Sequence, residues 1–256
     1  MLNSYYLPQT RALLQLPGAN STSLYSDAQL TTWINMARGQ IAGEGECIRI
    51  AGTISMVAGQ QAYSFANINI GTPTVTGVQG VINMQSLARV VASGALWMGP
   101  RPWPWFSLYN MNNAVPVPGP PTEWAQYGQG AAPGTLPGAT SANTGSFYVS
   151  PVPDQAYILN CNTICYPIPL VLDTDPEALP YFWTDAVPFL TAYFSLMSAQ
   201  TNARYADAAR MYKGDYGEFM DRARKQSNAG VDRWLYAQAG DPAQGPKMSI
   251  KGGAQQ

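Results

Sequence analysis

The chain has 256 residues, a formal net charge of −1, no histidine and three cysteines, and only 11% of its residues are charged, against ~25% in an average soluble domain. That length accommodates one large domain or two small ones around a sizeable core, so stability does not demand disulfides or a metal. Near-neutrality provides no global field to recruit nucleic acid or an anionic membrane. The missing histidine excludes Ser-His-Asp and Cys-His nucleophile systems and histidine-based metal sites.

The N-terminal stretch MLNSYYLPQTR has no basic region followed by an apolar run, and no apolar stretch approaches the ~20 residues that span a bilayer. The expectation is a soluble chain made without secretion, its thiols Cys47, Cys161 and Cys165 free and mostly buried. Ser26 followed by Gln29 forms a capping box, and Asp27 adds a negative charge to the first turn, so the spacing predicts a helix from Asp27 to about Ala42. Leu30, Trp33 or Ile34, Ala37 and Ile41 form its apolar stripe, with Asn35, Arg38 and Gln40 away from it.

From residue 51 the period changes to two. In TISMVAGQQAYSF, residues 53–65, two alternating runs flank Ala58-Gly59-Gln60, which predicts a β-hairpin with glycine available for positive φ. Further strands are expected at 80–91, 146–149 and 157–163. Of the 21 prolines, 14 lie between residues 51 and 170, which excludes long helices there and predicts short strands with many loops. The segment 112–143, rich in Pro, Gly, Ala, Thr and Ser, reads as a long loop that something outside the subunit orders. Aromatic side chains concentrate just before and within it: Trp97, Trp103, Trp105, Phe106, Tyr109, Trp124 and Tyr127. Such residues can stack on sugars or bases. One arginine and no lysine in WMGPRPWPWFSLY suit a phosphate backbone poorly, and the stretch lacks carboxylates or amides to hold sugar hydroxyls. Packing in the core or at a subunit interface is the better reading, with Trp97, Trp103, Trp105, Phe106 and Trp124 as the interface candidates.

Helix returns after residue 173. Asp175 before Pro176 predicts a helix start, and Pro180 and Pro188 break the region into a short segment and a longer helix to about Gln200. Asp173, Asp175 and Glu177 form the only clustered carboxylates ahead of the charged C-terminal helix, and they read as dipole-capping groups. The last helix carries Tyr205, Ala209, Tyr212, Tyr216, Phe219 and Ala223 in a heptad-like seam, with Glu218–Arg222 and Asp221–Lys225 as exposed pairs. The seam is expected to pack on helices 27–42 and 188–200. Gly214 and Gly217 weaken the helix interior and predict a closely packed neighbouring backbone. Residues 237–256 have almost nothing to bury and would need a partner to become ordered.

Catalytic constellations are not evident. No GxxxxGK[ST] motif and no GxGxxG within a βαβ pattern occurs, so no cofactor, metal or catalytic residue is assigned. The sparse charge instead suits a surface buried between subunits, hence an obligate oligomer.

Five stretches then carry a resemblance: SDAQLTTWINMARGQIAGEGECIR at 26–49, TISMVAGQQAYSF at 53–65, PTEWAQYG at 121–128, GSFYVSPVPDQAYIL at 145–159, and LPYFWTDAVPFLTAYFSLMSAQTNARYADAARMYKGDYGEFMDRARKQ at 179–226. In order and spacing the chain resembles the head-to-tail adaptor (connector, or tail-tubular-A-like) proteins of short-tailed bacteriophages. The resemblance implies an α+β fold: a helical bundle formed by the N-terminal helix and two C-terminal helices, a large inserted β-sandwich or barrel-like domain, and an extended tail. The expected division is 1–50 for the N-terminal arm and helix, 51–172 for the β-rich insert, 173–236 for the C-terminal helices, and 237–256 for the tail.

The implied function is that of a structural virion protein at the head–tail interface, synthesised in the host cytoplasm. It would be a dodecameric homo-oligomer ring between the portal protein and the tail nozzle protein. Double-stranded DNA would pass through its channel without sequence-specific binding. Lys247, Met248, Ile250 and Lys251 are the expected portal contacts. Arg204, Arg210 and Lys213 are lumen candidates, although solvated surface explains them as well. A carbohydrate-binding module of a phage receptor-binding or tail protein is the alternative, and a tail hydrolase lacks a catalytic set.

Overall fold

The computed structural model describes residues 2–15, 25–110, 118–129, 145–198 and 203–228. A π-helical turn, Leu2–Tyr6, runs into α1, Leu7–Leu13, followed by α2, Asp27–Gly45. The N-terminal helix was not foreseen from the sequence. The start of α2 was: Ser26 Oγ accepts from the Gln29 backbone N–H at 3.3 Å, and Gln29 Oε1 accepts from the Ser26 N–H at 3.0 Å. That reciprocal pair satisfies two donors that a helix N-terminus otherwise leaves unpaired. At the far end of α2, a Cβ on Gly45 would meet the Trp183 ring at 2.5 Å, so glycine is what lets the two approach.

The middle of the chain forms two four-stranded sheets, neither closed into a barrel. The first has the order β1-β8-β3-β4, with β1 Arg49–Ser55, β3 Val78–Val91, β4 Gly94–Trp97 and β8 Ile158–Pro167, all antiparallel. The second has the order β2-β7-β6-β5, with β2 Ala62–Ser64, β5 Gly99–Pro100, β6 Glu123–Tyr127 and β7 Ser146–Ser150. Short helices α3, Pro73–Thr76, and α4, Trp103–Asn110, lie between strands. Gln126 of the second sheet reaches the first: its Oε1 accepts from Met84 N–H at 3.0 Å and its Nε2 donates to Asn83 Oδ1 at 2.9 Å.

The expected hairpin over residues 53–65 does not form. Gly59 does take a positive φ of 79°, but β1 pairs with β8 and β2 with β7, in different sheets. The turn is held from outside: Met56 N–H donates to Tyr157 O at 2.7 Å and Gly59 N–H to Pro153 O at 2.8 Å. Tyr63 hydroxyl ties it from within by donating to Gln60 O at 2.8 Å. Alternation correctly buries Ile54, Met56, Tyr63 and Phe65. It does not specify the pairing partner, because both runs need a covered face. β3 contains the strand expected at 80–91; at 14 residues it is longer than the short strands the proline content suggests, and it runs through a proline-free part of the middle region.

The C-terminal helices are α5 Tyr181–Thr184, α6 Ala186–Ser198 and α7 Ala203–Asn228. No helix starts at Asp175. Pro180 caps α5, and the Asp175 carboxylate closes a loop by accepting from Val171 and Leu172 N–H at 2.6 and 2.7 Å. α6 packs against α1, α2 and α7. The α7 seam is as expected, with Ala209, Tyr216 and Ala223 buried and Tyr205, Tyr212 and Phe219 half-buried; Phe219 stacks on Phe189 at 4.7 Å. The exposed pairing differs. Asp221 pairs with Arg224 at 3.4 Å, and Arg222 lies over the Phe219 ring at 5.1 Å. Gly214 and Gly217 face open space rather than a neighbouring backbone. One cluster of buried side chains runs from α1, α2, α6 and α7 into both sheets, from Tyr6 and Leu30 to Phe147 and Trp124.

Candidate interaction surfaces

Chemistry-bearing side chains come together most closely inside the molecule. Arg38 of α2 is fully buried, although its position on the helix reads as off the apolar stripe. Its Nε and Nη2 donate to Glu177 at 3.0 and 2.7 Å, and Nη1 donates to Asn35 Oδ1 at 3.1 Å and Ile168 O at 2.7 Å. Glu177 also accepts from Tyr6 hydroxyl at 2.8 Å and Leu179 N–H at 3.0 Å. Burial, reinforced by the Glu177 carboxylate, raises the Tyr6 phenol well above its ordinary pKa. Every charged atom is compensated, as a buried pair requires. The network ties the N-terminal helix, α2 and the β8–α5 loop together. No local pattern could have exposed it, because Arg38 and Glu177 are 139 residues apart.

Thus the carboxylate cluster of residues 173–177 does not cap a helix. Asp173 meets Ser4, Asp175 holds a loop and Glu177 belongs to the Arg38 network. Two backbone N–H groups hold the Asp175 carboxyl below its ordinary pKa. The cysteines are free, and burial pushes the thiols of Cys47 and Cys161 up to about 12 and raises that of Cys165. Among the described residues no group of three or more His, Cys, Asp or Glu side chains gathers to hold a metal. No described helix is long and apolar enough to cross a membrane.

The aromatic candidates divide by environment. Phe106 and Trp124 are core residues at 0% and 4% exposure, and the Trp124 indole N–H has no hydrogen-bond partner among the described residues. Trp103 is half-buried between Tyr127 and Tyr148, with centroids at 4.6 and 4.8 Å. Interplanar angles of 48°, 51° and 87° within this trio leave no common plane for a flat ligand. Trp97 on β4 is 63% exposed and Trp105 on α4 38%. Arg101 lies over the Trp105 ring at 4.8 Å and pairs with Glu123 at 2.6 Å. Leu96, Leu108 and Tyr109 add exposed apolar area on the same two elements.

Of the lumen candidates, Arg210 pairs with Asp207 at 3.2 Å and Lys213 lies over the Tyr193 ring at 5.4 Å; the side chain of Arg204 lies outside the described residues. So do Lys247, Met248, Ile250 and Lys251, together with residues 112–117 and 130–143 of the expected long loop; in the described part of that stretch the chain forms β6 rather than loop throughout.

The profile of the SU10 adaptor protein family matches residues 9–241, and the chain belongs to that family. No curated protein matches it. Membership makes it a structural adaptor protein of a bacteriophage and a component of the virion, in agreement with the resemblance carried by the five stretches between residues 26 and 226.

Proposed function

We propose that the chain is the subunit of a head-to-tail ring, twelve copies joining the portal to the tail nozzle, with double-stranded DNA sliding through the channel. Family membership over residues 9–241 carries the reading. Support comes from the exposed apolar surface of β4 and α4, which includes Trp97, Leu96, Trp105 and Leu108 and suits contacts between subunits or with the tail. A net charge of −1 suits a channel that must not grip its cargo.

In this reading the helices, with the N-terminal part to residue 50 and residues 173–236, form the bundle. The two sheets of residues 51–172 form the platform facing the tail. Residues 237–256 reach the portal, with Met248 and Ile250 anchoring and Lys247 and Lys251 meeting acidic groups. No cofactor takes part.

Co-assembly with a purified portal ring tests this, comparing the full chain with one ending at Gly240 by sedimentation and electron microscopy. A ring added by the full chain and lost on truncation is the expected result. Failure of both chains to bind the portal, together with adhesion to host polysaccharide, would sink the reading.

A further inference from the structure

Independently of the ring, the helical end of the molecule carries an exposed apolar surface close to the end of α7. In α5, Trp183 is buried against Gly45, while Tyr181 and Phe182, two residues and one residue earlier, turn outward. They are 74% and 50% exposed, with their rings edge to face at 5.9 Å. Two adjacent exposed aromatics are costly to leave in water. α5 packs against α7, and the last turns of α7 reach the same corner, where Arg224 Nη2 donates to Glu44 O at 3.1 Å, next to Gly45. The described part of α7 ends one helical turn further on, at Asn228.

The 28 residues that follow are not uniformly polar. Val231, Trp234, Leu235 and Tyr236 come first, and beyond Tyr236 the only large apolar side chains are Met248 and Ile250. From Asn228, an extended chain reaches Trp234 across ~20 Å. A tether this short presents the segment at roughly millimolar effective concentration, so it has the advantage over any free partner.

We propose that residues 231–236 fold back and cover Tyr181 and Phe182 of their own chain, with Trp234 seated against the two rings. The C-terminal segment then has two parts: a proximal clasp that finishes the helical corner, and a distal stretch from Ala237 that stays available to another protein. The clasp does not rest on the ring reading, and its failure would leave that reading standing.

Hydrogen exchange on the full-length chain tests it. Amides of 231–236 should exchange at least about tenfold more slowly than those of 241–256. In the Tyr181→Ser, Phe182→Ser double variant that difference should vanish while protection of residues 205–223 persists. Equal exchange of both stretches in the unaltered chain, or protection that survives the double substitution, overturns the proposal. Protection that falls on dilution also overturns it, because the segment would then lie on a neighbouring copy. Should the double variant misfold, Trp234→Ser provides the second reading: faster exchange at 181–184 is expected, and an unchanged rate there rejects the clasp.

Discussion

Arg38 and Glu177 form an ion pair at 2.7 Å with side chains 1% and 7% exposed, joining α2 to the loop that follows β8. Asn35, one turn before Arg38, reinforces that link by holding both backbone groups of Leu170 in the same loop, donating at 3.0 Å and accepting at 2.8 Å.

Removing one partner strands a buried charge. Glu177→Ala and Arg38→Met are each expected to cost about 3–5 kcal/mol. The double variant should cost clearly less than the sum, since neither charge is then left alone. Urea unfolding of the four proteins measures the coupling, and strict additivity would show that the pair does not act as a unit.

The aromatic residues should separate by role. Phe106→Ala is expected to destabilise the isolated chain by about 3–5 kcal/mol through cavity formation. Trp97→Ala should change its stability by no more than about 0.5 kcal/mol while weakening ring assembly. Thermal unfolding combined with sedimentation checks both, and equal effects on stability would contradict the burial difference.

Gly214 and Gly217 lie in the interior of α7 with open space where a Cβ would stand. Alanine at either position should stabilise the isolated chain by up to about 1 kcal/mol. A loss of assembly in the same variants would mean that a neighbouring subunit packs closely on that face.

Alkali should expose the buried acids. The thiols of Cys47 and Cys161 rise from an ordinary value of 9.0 to about 12 by burial, and the phenols of Tyr6 and Tyr216 also rise above 10.0. A raised pKa means that the fold favours the neutral form. The contribution to stability is therefore complete below the unfolded values and is lost as pH climbs from about 9 through 12. Urea midpoints should be level up to pH 9 and fall beyond it, and thiolate absorbance should place Cys161 near 12. Titration of Cys161 near 9 in the folded chain would contradict its burial.

What the sequence determined by itself was local. The capping box and apolar stripe placed α2, the seam placed α7 along α6, and two-residue alternation located β3, β7 and β8, because each signal depends on residues a few positions apart. The head-to-tail adaptor resemblance was likewise legible from the order of such stretches. Tertiary structure alone decided which strands pair, sending the two halves of residues 53–65 into different sheets. It also turned Arg38 inward, gave Asp175 a loop and Glu177 a buried cation, and assigned Phe106 to the core and Trp97 to the surface. The strand pairing and the Arg38–Glu177 pair rest on contacts between segments that are 82 to 139 residues apart, where burial and hydrogen-bond satisfaction outweigh local preference.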